Sequence, residues 1–504
     1  MNRSICPALR PLIAAAWLTG GIPVPAADMP QPGERFTHNP VSSETNLPAT
    51  VNPATGKGIK WSAGLGTQSY SSPVIAGGRI FLGTNNETPR DPRHKGDRGV
   101  FFCLEEATGK LLWQLVVPKI GGDPYLDWPR VGIASPACVE GGRVYLLNNR
   151  AEVVCLDVNG MANGNDGPFT DEARHQTPQG TDPIPVGPTD ADILWLTDLR
   201  EAAGIWPHDA SYGVPLLHGD FLYINSNNGV DNTHKVIRRP DAPSLIVLDK
   251  HTGRLVAKDD EPIGPDIFHN TYSSPTLGTV NGRTLVAFGG GDGMLYAFEA
   301  LTAMPPPGTV ATLKRVWKYD PDPGAPKQDI HGYLSNREIS PSTIVTPPVF
   351  LGDRIYLTAG GDLWWGKTQA WLKCIAADQT GDVTATATQW SYPLKQSIST
   401  PAVAGALTFV ADCGNKTLNC LETATGKELW SHKVTGDIWS SPLVADGKVY
   451  LGTRRGTFYI FAASREKSLL CQTTFDAPIS APLAAANGVV YVVTDTTLYA
   501  LAKP

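Results

Sequence analysis

At 504 residues, with 41% apolar and 18% charged side chains, the chain is globular and too long for one small core, so it holds several domains or one large repeat array. A net charge of −6 with no run of Lys or Arg excludes the basic footprint that nucleic acid requires. The 51 Gly and 43 Pro follow no collagen-like period and point to many tight turns, as in an all-β protein.

In chain order, Arg3 and Arg10 precede an apolar run, "PLIAAAWL" (11–18), and Val24 and Ala26 then supply the small residues that precede a cut. The pattern predicts a signal peptide over 1–26 and an exported mature chain, periplasmic or secreted. The apolar run is far short of the roughly 20 residues that span a bilayer, so no transmembrane anchor is expected. Residues 27–57 read as a linker, and 58–504 as one domain.

That domain repeats itself. "EATGKLLW" (106–113) returns as "TATGKELW" (423–430). Around each octapeptide lies the same unit: a Ser/Thr-Pro, an apolar segment, a Gly turn, a second apolar segment, a turn, a third, a polar turn and a fourth. Such spacing predicts four short antiparallel strands per unit. The Gly of "ATGK" is placed to take positive φ in the third turn. Unit starts fall at Pro73, Pro136, Pro215, Pro275, Pro348, Pro401, Pro442 and Pro482, which makes eight. The fourth strands carry Trp113, Trp195, Trp317, Trp390 and Trp430, with Ala257 and Cys471 as departures.

The last unit has only three strands, and "GIKWSAGL" (58–65) supplies the missing one with Trp61 in place. The predicted fold is therefore an eight-bladed β-propeller of four-stranded antiparallel blades, closed by the N-terminal strand joining the C-terminal blade. Insertions fall near 85–98, 160–190, 228–243, 301–312 and 361–370. The chain has eight Cys, and Cys103, Cys155, Cys374 and Cys420 share one repeat position that elsewhere holds Val, Ala or Ile, so they are core residues. A Cys413–Cys420 bridge across one hairpin is the one disulfide candidate.

The motif "SSPxVxxGxVYxG…LxCLDxxTGxxLW" resembles the pyrroloquinoline quinone (PQQ)-type propeller repeat over nearly all of 58–503. That family includes quinoprotein alcohol dehydrogenases and the non-catalytic outer-membrane assembly lipoprotein. Stretches such as "DPYLDWPRVGIASP" and "NSNNGVDNTHK" resemble secreted PQQ-like propellers of environmental bacteria. The resemblance implies the fold and exported character more than an activity. It also implies where the chain departs from the dehydrogenases: no two Cys are adjacent, no Cys-x-x-Cys-His haem motif occurs, and their calcium set does not map here. A bound PQQ is accordingly not expected.

In a propeller the residues before each first strand cross one face toward the central channel. These stretches place Tyr70, Arg130, His208, Asp209, His269, Asn270, Tyr272, Asp437 and Trp439 around one opening, where they could bind a small polar ligand. His208 and His269 fall in adjacent blades and could share a metal with Asp209. A calcium ion is the other cofactor candidate, with Asp157, Asn159, Asn165, Asp166 and Asp171 offering hard oxygen ligands in "DVNGMANGNDGPFTDE", a segment that otherwise simply turns. The insertion "GGDLWWGKTQAW" (360–371) reads more as a local cap on its blade than as an exposed binding patch. No Gly-x-Ser-x-Gly, phosphate loop or His-Glu-x-x-His motif occurs.

The functional expectation is an exported binding or scaffolding module whose partner is a protein or a small polar ligand at the His208/His269 face. The alternative is a periplasmic quinoprotein-type or metal-dependent oxidoreductase with its cofactor in the channel. A carbohydrate-binding or carbohydrate-degrading accessory role is a third, suggested by the aromatic residues. Whether the chain is an enzyme stays open at this level.

Overall fold

The computed structural model describes Met1 and residues 27–503. The leader read at 1–26 therefore lies, apart from its first residue, outside the described residues. No helix among them is long and apolar enough to cross a membrane.

The strands form eight sheets. The first is typical, running Val74–Ala76, Arg79–Asn85, Arg98–Glu105 and Leu111–Pro118 from inner to outer edge. We number the blades from it. The inner strands of blades 2 to 8 are Cys138–Glu140, Leu216–His218, Thr276–Val280, Val349–Leu351, Ala402–Ala404, Leu443–Ala445 and Ala484–Ala486. Each begins within two residues of one of the eight prolines. Blades 3, 4 and 7 each gain a short parallel fifth strand, at Ala311–Thr312, Gly381–Asp382 and Val41–Ser42.

Ring closure is as the sequence predicts. Ile59–Gly64 pairs antiparallel with Thr497–Leu501, Trp61 facing Ala500. Eight apolar clusters make up the core, one between each pair of adjacent blades. No blade has a private core, which is why only the complete ring buries every apolar face.

The octapeptide repeat has a tertiary reason. The indole N–H groups of Trp61, Trp113, Trp195, Trp317, Trp390 and Trp430 each donate to a backbone carbonyl of the next blade, at Glu106, Val158, Lys250, Ala377, Thr423 and Ser464 respectively, over 3.0–3.1 Å. Gly109, Gly253 and Gly426 sit beneath Trp61, Trp195 and Trp390, so close that an added Cβ would lie 2.4–2.7 Å from the indole. Their φ values of 69–75° also demand glycine.

Cys103, Cys155, Cys374 and Cys420 face Trp113, Trp195, Trp390 and Trp430 across the strand ladder, are buried, and are free thiols. Cys413 is free as well, so the candidate Cys413–Cys420 bridge is absent; Cys413 Sγ instead lies 2.7 Å from the Ile438 carbonyl.

The stretch read as a linker is part of the channel. Met29, Pro30, Phe36, Asn39, Pro40 and Ser42 hydrogen-bond to the inner strands of blades 1, 2, 4, 6, 7 and 8. Asp28, Glu44 and Leu47 bond to the turns that follow the inner strands of blades 1, 8 and 7. Residues 28–47 therefore lie across the channel at the end away from the blade-to-blade connectors. The connector face is the one that carries the side chains of interest.

Candidate functional site

The connectors into blades 3 and 4 run beside the insertion between the second and third strands of blade 3. Isolated bridges join Pro207 to Asn228 and Gly229 to Asn270, so the three segments form a small irregular ladder. Asn270 Nδ2 adds a bond to the His208 carbonyl at 2.8 Å. Gly229 is what allows this approach: a Cβ there would lie 2.7 Å from His208 Cβ and 2.9 Å from the His269 carbonyl. Asp209 and His234 adopt left-handed backbone, with φ of 57° each, which is uncommon outside Gly and concentrates at functional sites.

This scaffold gathers His208, Asp209, His234 and His269, one ligand atom from each, all within 4.8 Å of one another. The Nε2 atoms of His208 and His234 lie 3.2 Å apart. His269 Nε2 lies 3.2 Å from Asp209 Oδ2, and His269 Nδ1 lies 3.0 Å from Asp362 Oδ2. The three imidazoles and Asp362 are buried, while the Asp209 side chain is 25% exposed.

Asp362 comes from the insertion of blade 5. Its Oδ1 accepts the backbone N–H groups of Trp364 and Trp365, which aims Oδ2 at His269. The Arg337 guanidinium holds this loop by donating to the carbonyls of Leu363, Trp364 and Gly366.

The electrostatics follow from burial and neighbours. Burial pushes His208 down to about 3 against the pull of Asp209, and lowers His234 as well, with His269 adding to that effect. Burial also opposes charge on His269, but Asp362 and Asp209 outweigh it and raise this residue to about 9. Asp209 and Asp362 are held below the usual carboxylate range, burial being overcome by their contacts with His269. Two neutral imidazoles therefore face an imidazolium held between two carboxylates. Replacing that proton with a metal ion would leave three imidazoles and one carboxylate as ligands. This donor set suits zinc, copper or iron rather than calcium.

Of the nine residues placed on this face from sequence, His208, Asp209, His269, Asn270 and Tyr272 come together, the Tyr272 ring standing edge-on to His269 at 5.7 Å. Tyr70 and Trp439 pair with each other at 6.1 Å. They connect to the cluster through Trp364, which is 6.0 Å from Trp439 and 5.8 Å from His269. Arg130 and Asp437 turn to the surface, in ion pairs with Glu87 and Lys416.

Sequence reasoning missed His234, Asp362 and Tyr125, whose ring stacks on His208 at 5.6 Å. The 360–371 insertion is not a blade cap as expected. Trp364 and Trp365 lie against His269 and His234 at the mouth, and only Trp371 belongs to a blade strand.

In the segment proposed for calcium, Asp157 Oδ1 accepts the Asn159 N–H, and Asn159 Oδ1 accepts from Arg79. Asn165 donates to Glu172, Asp166 accepts from Asn163, and Asp171 precedes a short helix without capping it.

Comparison with known proteins agrees with this architecture. Residues 371–467 match the family model described as outer membrane protein assembly factor BamB. No curated protein matches the chain. Among solved structures, BamB from Moraxella catarrhalis is 12% identical, covers 88% of this chain and 96% of its own, and superposes with a TM-score of 0.52. The computationally designed Ika8 protein is 11% identical, with coverages of 88% and 99% and a TM-score of 0.50. Quinohemoprotein alcohol dehydrogenase from Comamonas testosteroni is 14% identical, with coverages of 96% and 81% and a TM-score of 0.47. At these identities the likeness concerns the fold. The chain is an eight-bladed β-propeller whose stretch 371–467 matches the family model described as outer membrane protein assembly factor BamB.

Proposed function

We propose that this chain is an exported binding module whose working face is organised by a transition-metal ion held by His208, His234, His269 and Asp209. One observation carries the proposal: three imidazoles and a carboxylate, from separate connectors and an insertion, converge within 4.8 Å. Asp362 supports it by orienting His269 through the far ring nitrogen, as carboxylates do behind metal-bound histidines.

Four protein ligands, three of them buried, make a closed site. Such an ion would act mainly as a staple, joining two connectors and the blade 3 insertion, and through Asp362 the blade 5 insertion. The channel end opposite is covered by residues 28–47, which leaves this face as the open one. The match of 371–467 to an assembly factor supports a binding role more than catalysis.

A quinone tricarboxylate fits this mouth poorly. The groups beside His269 are the carboxylates of Asp209 and Asp362, which would repel it, and the Arg337-clamped loop packs Trp364 and Trp365 against the imidazoles.

Elemental analysis of the purified chain, followed by stripping and titration with Co²⁺, tests the proposal. One ion per chain and a visible cobalt band are expected. Both should vanish in a His208→Ala/His234→Ala double variant that keeps its far-ultraviolet spectrum. A chain that neither retains a metal nor develops the band would overturn it.

A further inference from the structure

Beside the histidine cluster, a line of rings crosses the channel mouth. His269, Trp364, Trp439 and Tyr70 follow one another at 5.8, 6.0 and 6.1 Å between centroids, the first two pairs edge-to-face and the last tilted by 31°. They come from different parts of the ring: the connector into blade 4, the insertion of blade 5, the connector into blade 7 and the stretch entering blade 1. Trp364 is 42% exposed, unusual for so large an apolar side chain.

Toward the far end the Arg454 guanidinium lies over Trp439, its Cζ 3.7 Å from the ring centroid. Its backbone N–H donates to the Asp437 carbonyl, but among the described residues the guanidinium has no hydrogen-bond or ion-pair partner. Arg130 and Lys416, on the same face, are both paired with acids. Arg454 acts through space on Asp495, whose carboxyl burial raises to about 6 against that pull.

We propose that Trp364, Trp439, Tyr70 and Arg454 form a binding shelf for an acidic oligosaccharide, with Arg454 taking a sugar carboxylate. Shape and charge both point to such a ligand. Compact ligands are taken up in enclosed pockets, whereas this is an open strip with an exposed indole. An open strip suits an extended chain that gains contact ring by ring. Tyr and Trp offer rigid amphipathic area to such ligands at low entropic cost. A stacked, unpaired guanidinium presents a planar fork that matches a carboxylate. The inference rests on the proposal that this is the working face, but does not require the metal.

Calorimetric titration of the full chain with trigalacturonate, its neutral counterpart galactotriose and benzoate tests the shelf, with metal content measured on the same samples. Trigalacturonate should bind at least tenfold more tightly than galactotriose, and benzoate should not bind measurably. Arg454→Gln should weaken trigalacturonate about tenfold and leave galactotriose unchanged, the loss expected for one charge-assisted contact. Trp439→Ala should weaken both sugars, and Trp439→Phe should restore most of the loss, which separates lost stacking from misfolding.

Equal affinity for the acidic and neutral sugars, binding of benzoate alone, or no binding by a chain with a normal melting profile would each overturn the shelf. Sugar binding by a chain that neither retains a metal nor develops the cobalt band would remove the metal proposal and leave the shelf standing. A metal-loaded chain that binds no sugar would do the reverse.

Discussion

Gly229 and Asp362 show how single residues set the cluster. Gly229 lets two imidazole-bearing connectors approach, and any side chain there would meet His208 at 2.7 Å. Gly229→Ala should therefore weaken Co²⁺ binding while leaving the melting temperature within a few degrees, as read by parallel cobalt titration and calorimetry. Asp362→Asn keeps the shape but removes the charge behind His269. Chelator competition should show metal affinity falling by about 10- to 100-fold, the usual cost of losing such a support.

Asp292 offers a test by pH. Burial raises it to about 7, although the Tyr296 hydroxyl donates to it at 2.6 Å. Because the folded value exceeds the unfolded one, its stabilising contribution is complete below the ordinary carboxylate range and is lost as pH rises through 7. Asp292→Asn should therefore gain melting temperature relative to the parent on going from pH 4 to pH 8.

Among elements, the recurrent device is the fourth-strand Trp latched to the next blade's turn. Trp317 is fully buried and bonded to the Ala377 carbonyl. Trp317→Ala should cost about 3–5 kcal/mol, as for other large-to-small core changes. Gly253→Ala meets both a left-handed φ of 75° and the Trp195 indole at 2.4 Å, and should also lower the melting temperature in calorimetry. The two departures from the Trp pattern are filled differently. Beside Ala257, the outer edge of blade 3 takes the extra strand Ala311–Thr312. At Cys471, the Val51 carbonyl of the N-terminal stretch lies 3.5 Å from the thiol.

At the scale of the molecule, stability depends on closing the ring. Ala63 sits mid-strand opposite Leu498, two residues from Leu65, whose N–H donates to the Thr496 carbonyl, and so in the hydrogen-bonded phase of the ladder. Ala63→Pro removes a ladder donor and should open the junction between blades 8 and 1. Limited proteolysis should then cut near 58–66 first, and the melting temperature should fall; an unchanged digestion pattern would argue that blade 8 closes without this strand. The N-terminal stretch adds a second tie, because residues 28–47 bond to the inner edges or turns of six blades.

Blade number, closure and the core identity of the cysteines were legible in the sequence, because strand alternation, Ser-Pro starts and the Trp position repeat locally. The cluster was legible only in part. His208, Asp209 and His269 stand at repeat-defined positions before inner strands, so their common face could be read off. His234 and Asp362 lie in insertions of blades 3 and 5, outside any repeat, and a loop's course is set by what it packs against. The role of residues 28–47 was hidden for the same reason: with no periodicity of their own, they take their shape from a channel that exists only once the eight blades have closed.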